Sequence, residues 1–288
     1  MLYLNQQLKS SFKQYLEDVI IKNNTQPVLD IVEIDGNLAS DKYIQIKQKI
    51  GQQMGIKVNL NKFDSQVKIS TVERILEDAR LNNHGLIFQL PVPKDYELLV
   101  SQTPLRSDVD LLSLDNYKLW NLGFLPPTIG AIDLVLKEIL AGESTEDSFD
   151  KFVSHKLDLK GQIVAVIGQG VLVGGPLLTY LKDRGATIIS LNKNTPNPTN
   201  LCKLANILIC AAGSPNLVDT KWFNPNAIII DASTSEVDGY LSGDIQPENI
   251  YPTNLLCPSP GGIGSITVLY LFYNLLKLNK DYKYESKT

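Results

Sequence analysis

One passage constrains this chain more than any other: residues 162–191 read as strand, glycine turn, helix and second strand. QIVAVIG is a short apolar run rich in β-branched residues. The turn Gly168-Gln169-Gly170-Val171-Leu172-Val173-Gly174-Gly175-Pro176 follows it, then the helical PLLTYLKDRG, then ATIISL. Two strands linked through a helix run parallel, so the chain around them is α/β. Glycines in such a turn let backbone N–H groups approach a pyrophosphate at a helix N-terminus. The spacing is G-x-G-x-x-x-G, a variant of the usual dinucleotide pattern. Read alone, it is either a nucleotide turn or an ordinary strand-to-helix connection. No carboxylate ends the second strand, which reads Ser190-Leu191-Asn192-Lys193-Asn194-Thr195. Lys193 there suits a 2′-phosphate, favouring NADP over NAD, or is a solvated loop lysine.

The same alternation runs through the rest of the sequence. Residues 5–22 carry Leu8, Phe12, Leu16 and Ile20 at helical spacing. Residues 28–34 and 56–63 read as strands, and Ser40 is placed to cap a helix through YIQIKQKIGQQMG. Ser70 and Glu73 suggest a capping box for TVERILEDARLNN. Residues 85–90 (GLIFQL) form an apolar run stopped by Pro91 and Pro93, as in a buried parallel strand. Residues 128–140 are a long apolar helix. The acidic stretch 141–154 is a connector or the exposed start of another helix, and a domain boundary falls near it. Strands at 207–211 and 227–231 extend a second parallel sheet, and a helix at 265–278 precedes a charged tail expected to fray.

Composition narrows the function. The chain has 288 residues, 43% hydrophobic and 20% charged, too apolar for a disordered protein. A formal net charge of −4 argues against a sequence-independent nucleic-acid binder. No apolar run approaches the roughly 20 residues of a membrane span. The start, MLYLNQQLKSSFKQYLED, lacks the basic and apolar regions of a signal peptide. Cys202, Cys210 and Cys257 have neither metal-ligand nor disulfide-framework spacing, and His84 and His155 are the only histidines. The expectation is a reduced, cytosolic, metal-free protein.

Four further strings carry candidate chemistry. Tyr43 and Lys47 share a helix face, where a phenol beside a desolvated amine tunes proton transfer; a half-buried ring with a snorkelling lysine has the same spacing. Gln89 ends a strand, and open α/β sheets bind ligands beyond their carboxyl ends. Asp108 and Asp110 follow in a loop; either suits a polar heterocycle or bulk water. Pro258-Ser259-Pro260-Gly261-Gly262-Ile263-Gly264-Ser265 specifies a fixed loop whose diglycine admits a ligand to the backbone, or a strained helix entry.

In order along the chain, ASDKYIQIK, GLIFQLPVP, the DVD loop, LKGQIVAVIG with its VGGP, ANILICAAGSP, AIIIDAS, Gly243-Asp244 and PSPGGIGSIT resemble the bifunctional methylenetetrahydrofolate dehydrogenase/methenyltetrahydrofolate cyclohydrolase family. The resemblance implies two α/β domains around a cleft. One is a folate-binding catalytic domain of residues 1–140 plus 265–288. The other, residues 141–264, is a Rossmann-like parallel sheet binding NADP, with NAD possible. It implies a cytoplasmic homodimer in one-carbon metabolism. It also implies oxidation of 5,10-methylenetetrahydrofolate to the methenyl form, and hydrolysis of that to 10-formyltetrahydrofolate. Lys47 is then the catalytic lysine, Gln89 its tuning partner, Tyr43 the orienting ring, and Asp110 the anchor of the pterin N–H groups. Phe88, Leu90, Pro260, Gly261, Gly262 and Gly264 complete the folate wall. The cofactor set is Gly168, Gln169, Gly170, Gly174, Lys193 and Thr234.

The departures from the family lie mainly on the cofactor side. Gly168-Gln169-Gly170 stands where the family has Gly-Arg-Ser, and Leu191-Asn192-Lys193 where it often has Cys-His-Ser. Asp231-Ala232-Ser233 replaces Asp-Val-Gly, so Ser233 is expected to crowd the nicotinamide side. Leu111 replaces the glycine after the second loop aspartate, Ser265 a proline, and Pro127 a small residue or cysteine. Two other readings stand beside the bifunctional enzyme: a cyclohydrolase with weak or lost dehydrogenase activity, and a folate-binding protein without turnover.

Overall fold

The computed structural model describes residues 6–114, 116–141 and 149–285. In chain order the elements are α1 (Gln6–Asn23), β1 (Val28–Ile34), α2 (Leu38–Gln53), β2 (Lys57–Phe63), α3 (Ile69–Asn82), β3 (Gly85–Phe88), α4 (Glu97–Ser101), α5 (Asn116–Asn121), α6 (Pro127–Ala141) and α7 (Phe149–Ser154). They continue with β4 (Ile163–Ile167), α8 (Gly174–Asp183), β5 (Thr187–Leu191), α9 (Pro198–Cys202), β6 (Ile207–Cys210), β7 (Ile228–Asp231), β8 (Ser235–Val237), β9 (Tyr240–Ser242), β10 (Leu255–Cys257) and α10 (Ile263–Glu285). Most of the acidic connector, residues 142–148, lies outside the described residues. The chain divides into two compact units, one of residues 12–127 with 268–288, the other of residues 1–11 with 128–267.

The first unit is built on a parallel sheet ordered β2-β1-β3. An isolated parallel bridge from Leu86 to Asp108 continues it past β3. β1 is central and almost wholly buried, as a strand covered on both faces must be. Its apolar residues pack with Val72, Leu76 and Ala79 of α3 and with Phe88, Tyr96 and Leu99. The opposite end of the chain joins this unit through Asn274 of α10, whose Nδ2 donates to the carbonyls of Val109 (3.0 Å) and Leu125 (2.9 Å).

The second unit is a five-stranded parallel sheet, β10-β7-β6-β4-β5, with the β8–β9 hairpin beside it in sequence. The chain goes from β4 outward to β5, then crosses back to β6 on the other flank of β4. That reversal makes the carboxyl end of β4 a topological switch point, where doubly wound sheets bind ligands. Two α/β units, one of them Rossmann-like, are the architecture the sequence implied. In the same unit, Lys137 is buried with Asp133 (2.8 Å) and donates to the carbonyls of Phe152 and Val153; Tyr180 donates to the same aspartate.

Three local expectations are corrected. Ser70 lies inside α3, whose N-cap is Lys68 without a side-chain bond. Asn37, not Ser40, caps α2: Asn37 Oδ1 accepts from Ser40 N while Ser40 Oγ accepts from Asn37 N, so Ser40 is the third residue of a capping box. The last helix does not stop at 278 but runs to Glu285; no Gly or Pro follows Gly264 to break it.

Candidate active site

Helix α2 and strand β3 bring two polar side chains together in the first unit. Lys47, on α2, donates a 2.8 Å hydrogen bond from Nζ to Oε1 of Gln89. Gln89 is held from both sides: its backbone N–H donates to the Val32 carbonyl (2.8 Å), and Nε2 reaches the Leu90 carbonyl at 3.3 Å. The strand ends at the next turn, where the Leu90–Pro91 peptide is cis. Burial holds the Lys47 amine below the usual lysine range, and the negative charge of Asp110 opposes that shift. Burial likewise pushes Asp110 up to about 6; Lys47 pulls it down and Asp108 adds to the rise. A lysine and a carboxyl whose charges feel each other in a desolvated place exchange protons nearer neutrality than either does in water.

The loop carrying Asp110 is organised by its neighbour. Asp108 is 1% exposed and accepts from the backbone N–H groups of Leu112 (3.1 Å) and Ser113 (2.9 Å). It is therefore a structural carboxylate, which resolves the ambiguity between the two. Leu111 takes a left-handed backbone, φ +57°, a conformation that glycine adopts without steric cost. Its side chain is buried and its carbonyl accepts from Asn116 Nδ2. Tyr43 lies on the Lys47 face of α2, partly buried. Leu90 is also partly buried, whereas Phe88 is 2% exposed and belongs to the core.

The remaining sequence-derived residues lie in the second unit. Gly168 closes β4 with φ +96°, and a Cβ there would sit 2.3 Å from the Ala211 carbonyl oxygen. Gly174 has the same need, since its Cβ would meet the Gly168 carbonyl at 2.2 Å. Gly170 is exposed and faces open space. Helix α8 begins at Gly174 without a side-chain cap. This turn lies at the switch point, where a dinucleotide pyrophosphate binds in such sheets; the close backbone demands Gly168 and Gly174, the Gly175 N–H donates to the Gly170 carbonyl (3.0 Å), and Pro176 has no N–H. Gln169 turns toward β5, donating to Ser190 Oγ (2.7 Å) and accepting from Asn192 Nδ2 (3.3 Å). Lys193 is exposed in the turn after β5. Thr234 Oγ1 lies 3.1 Å from Ser259 Oγ.

Ser233 is buried, donates to Asp231 Oδ1 (2.7 Å) and accepts from the Asp244 N–H (2.9 Å). It ties the end of β7 to the Gly243-Asp244 loop, whose Asp244 in turn accepts from the N–H groups of Ala212 and Ser214. The diglycine is also required by the protein's own backbone. A Cβ on Gly262 would lie 2.4 Å from the Pro258 carbonyl oxygen, and Gly261 needs φ +99°. Pro260 and Gly261 are exposed, Gly264 partly so.

Comparison with known proteins decides the family. Residues 3–110 match the tetrahydrofolate dehydrogenase/cyclohydrolase catalytic domain, and residues 145–283 match the corresponding NAD(P)-binding domain. The chain belongs to the tetrahydrofolate dehydrogenase/cyclohydrolase family. Among its relatives, the bifunctional protein FolD of Clostridium tetani is 28% identical over 285 residues, covering 96% of this chain and 97% of that one. FolD of Mycoplasma mobile is 29% identical, with 93% of each chain covered. The fold of the Campylobacter jejuni FolD methylenetetrahydrofolate dehydrogenase/cyclohydrolase matches with a TM-score of 0.83 at 24% identity, over 98% of this chain and 99% of that one. The Trypanosoma brucei enzyme, solved with NADP cofactor and an inhibitor, matches at 0.82 and 23%, over 98% of each. Among the described residues no group of three or more His, Cys, Asp or Glu side chains could hold a metal ion, and no helix is long and apolar enough to cross a membrane.

Proposed function

We propose that this family member catalyses both reactions: NADP-dependent oxidation of 5,10-methylenetetrahydrofolate to the methenyl form, and hydrolysis of that cation to 10-formyltetrahydrofolate. The single observation that carries the reading is the desolvated Lys47 amine bonded to Gln89 and facing the charge of Asp110. A folate-binding protein without turnover has no evident use for an amine kept in that state.

In hydrolysis, water adds to the methenyl carbon between N5 and N10. Lys47, its proton affinity lowered by burial, accepts the first proton that the added water loses and returns it to N5 as the C–N5 bond breaks; the second leaves the carbon-bound hydroxyl for solvent as the formyl C=O forms. Gln89 Oε1 holds the ammonium form and aims the amine. Asp110 pairs with pterin N–H groups, Tyr43 packs on the folate, and Leu90 forms part of its wall. Phe88 supports that wall from the core side.

Bound NADP supplies the hydride acceptor for the oxidation. The residues assigned to hold it are Gly168, Gly170 and Gly174 along the pyrophosphate, with Gln169, Lys193 and Thr234 around them. Lys193 replaces the positive charge that the family places on the glycine turn, so NADP is preferred to NAD. The folate side is assigned to residues 1–140 and 265–288, the dinucleotide side to 141–264. The reading extends to a cytosolic homodimer, which the same family membership supports.

The test is an absorbance assay of methenyl formation and decay run with NADP, NAD and no cofactor. Formation with NADP and cofactor-independent decay are expected. Decay without formation would reduce the chain to a cyclohydrolase; neither would leave a binder.

A further inference from the structure

We infer that Glu33, a buried carboxylate that touches none of the proposed reacting groups, is a positioning residue for Lys47. The inference rests on the proposed hydrolysis and deepens it.

Glu33 is the penultimate residue of β1 and is 0% exposed, in a strand otherwise dominated by Leu, Ile and Val. An ionised carboxylate there is costly unless it is paired and hydrogen-bonded. Its surroundings supply both. Oε1 accepts from Ser40 Oγ at 2.8 Å, and Oε2 lies 3.0 Å from Lys62 Nζ of β2. Lys62 also pairs with Asp41 of α2. Gly36 leaves the room: a Cβ there would sit 1.9 Å from Glu33 Oε1. Three elements, β1, β2 and α2, therefore meet on one carboxylate, and the contact falls on the first turn of α2, where the helix dipole favours negative charge.

The direction of the contact links it to chemistry. At 3.6 residues per turn, Ser40, Tyr43 and Lys47 recur on one helix face. The face that Glu33 anchors is the face carrying the amine. Gln89, the partner of that amine, is fixed to β1 through the Val32 carbonyl, one residue before Glu33. The carboxylate thus sets α2 against the same strand that sets Gln89, and the 2.8 Å Lys47–Gln89 distance depends on both attachments.

The experiment measures kcat and KM for methenyltetrahydrofolate hydrolysis, with thermal unfolding, on the full chain and on Glu33→Ala and Glu33→Gln. Loosening the amine by a fraction of an ångström lowers kcat about tenfold with little change in KM. Glu33→Gln keeps an acceptor for Ser40 and recovers to within about twofold of wild type by the same argument. A folded Glu33→Ala chain with unchanged kcat, or equal loss in both variants, overturns the inference. If Glu33→Ala does not fold, Ser40→Ala removes the same bond from the helix side: a kcat-selective loss supports the inference and an unchanged kcat overturns it. A wild-type chain that hydrolyses nothing overturns the functional reading itself, and this inference with it.

Discussion

Lys47 Nζ and Gln89 Oε1 stand 2.8 Å apart although 42 residues separate them, and the bond closes α2 onto the end of β3. The neutral amide accepts from the amine without supplying a charge, so the amine stays below the usual lysine range. Gln89→Ala removes the acceptor and is expected to lower the hydrolysis kcat about tenfold, the worth of one such bond. Gln89→Glu places a carboxylate beside the amine and raises its pKa, moving the pH–rate profile to higher pH. A profile that does not move would mean the amine is not the titrating base.

Asp110 gives a pH dependence with a defined sign. Its folded pKa of about 6 lies above the ordinary carboxyl value, so the folded chain holds this proton more tightly than the unfolded chain. That contribution to stability is present at low pH and is lost as pH rises from about 4 to about 6. In urea unfolding, the stability of Asp110→Asn relative to wild type should therefore rise between those pH values and then level off. Folate binding has the opposite sense: it needs the carboxylate and weakens below pH 6 in wild type only. A constant difference in stability across this range would contradict the assignment.

Leu111 is buried and left-handed at once. The backbone costs about 1–2 kcal/mol for a non-glycine residue, and a buried leucine truncated to alanine costs about 2–5 kcal/mol. Leu111→Ala loses the packing and keeps the strain; Leu111→Gly loses the packing and relieves it. Chemical denaturation should rank glycine above alanine, the reverse of the usual order for these residues. Alanine above glycine would show that the backbone there is not strained.

Ser233 tests what the end of β7 does for the cofactor side. Its hydroxyl bridges Asp231 and the Asp244 N–H in a buried place, so Ser233→Ala should destabilise by about 1–3 kcal/mol. NADP affinity, read by intrinsic fluorescence, should change less than about twofold, under 0.5 kcal/mol. A gain in affinity would support the view that this side chain crowds the nicotinamide.

Much of this was legible in the sequence because the signals were local. Strand β1 coincides with residues 28–34, and the glycine turn sits between β4 and α8 as its spacing requires. Lys47, Gln89 and Asp110 were reachable through ordered motifs, and the fold sets the first two in contact. What was missed depends on tertiary pairing. Glu33 is one acidic letter in an apolar run; only the fold brings Ser40 and Lys62 to it. The bonds of Ser233 are equally hidden, since nothing local places the Gly243-Asp244 loop against β7. Ser70 and Glu73 have the spacing of a capping box, yet the cap falls two residues earlier, at Lys68, which puts Ser70 inside the helix.

The central claim is that the Lys47 amine moves the proton in hydrolysis, and stopped-flow absorbance of methenyltetrahydrofolate with Lys47→Met tests it most directly. The account predicts a loss of about 10²–10⁴ in kcat, the usual worth of a positioned acid–base group, with folate binding retained. Hydrolysis at the wild-type rate in a folded Lys47→Met chain would contradict it.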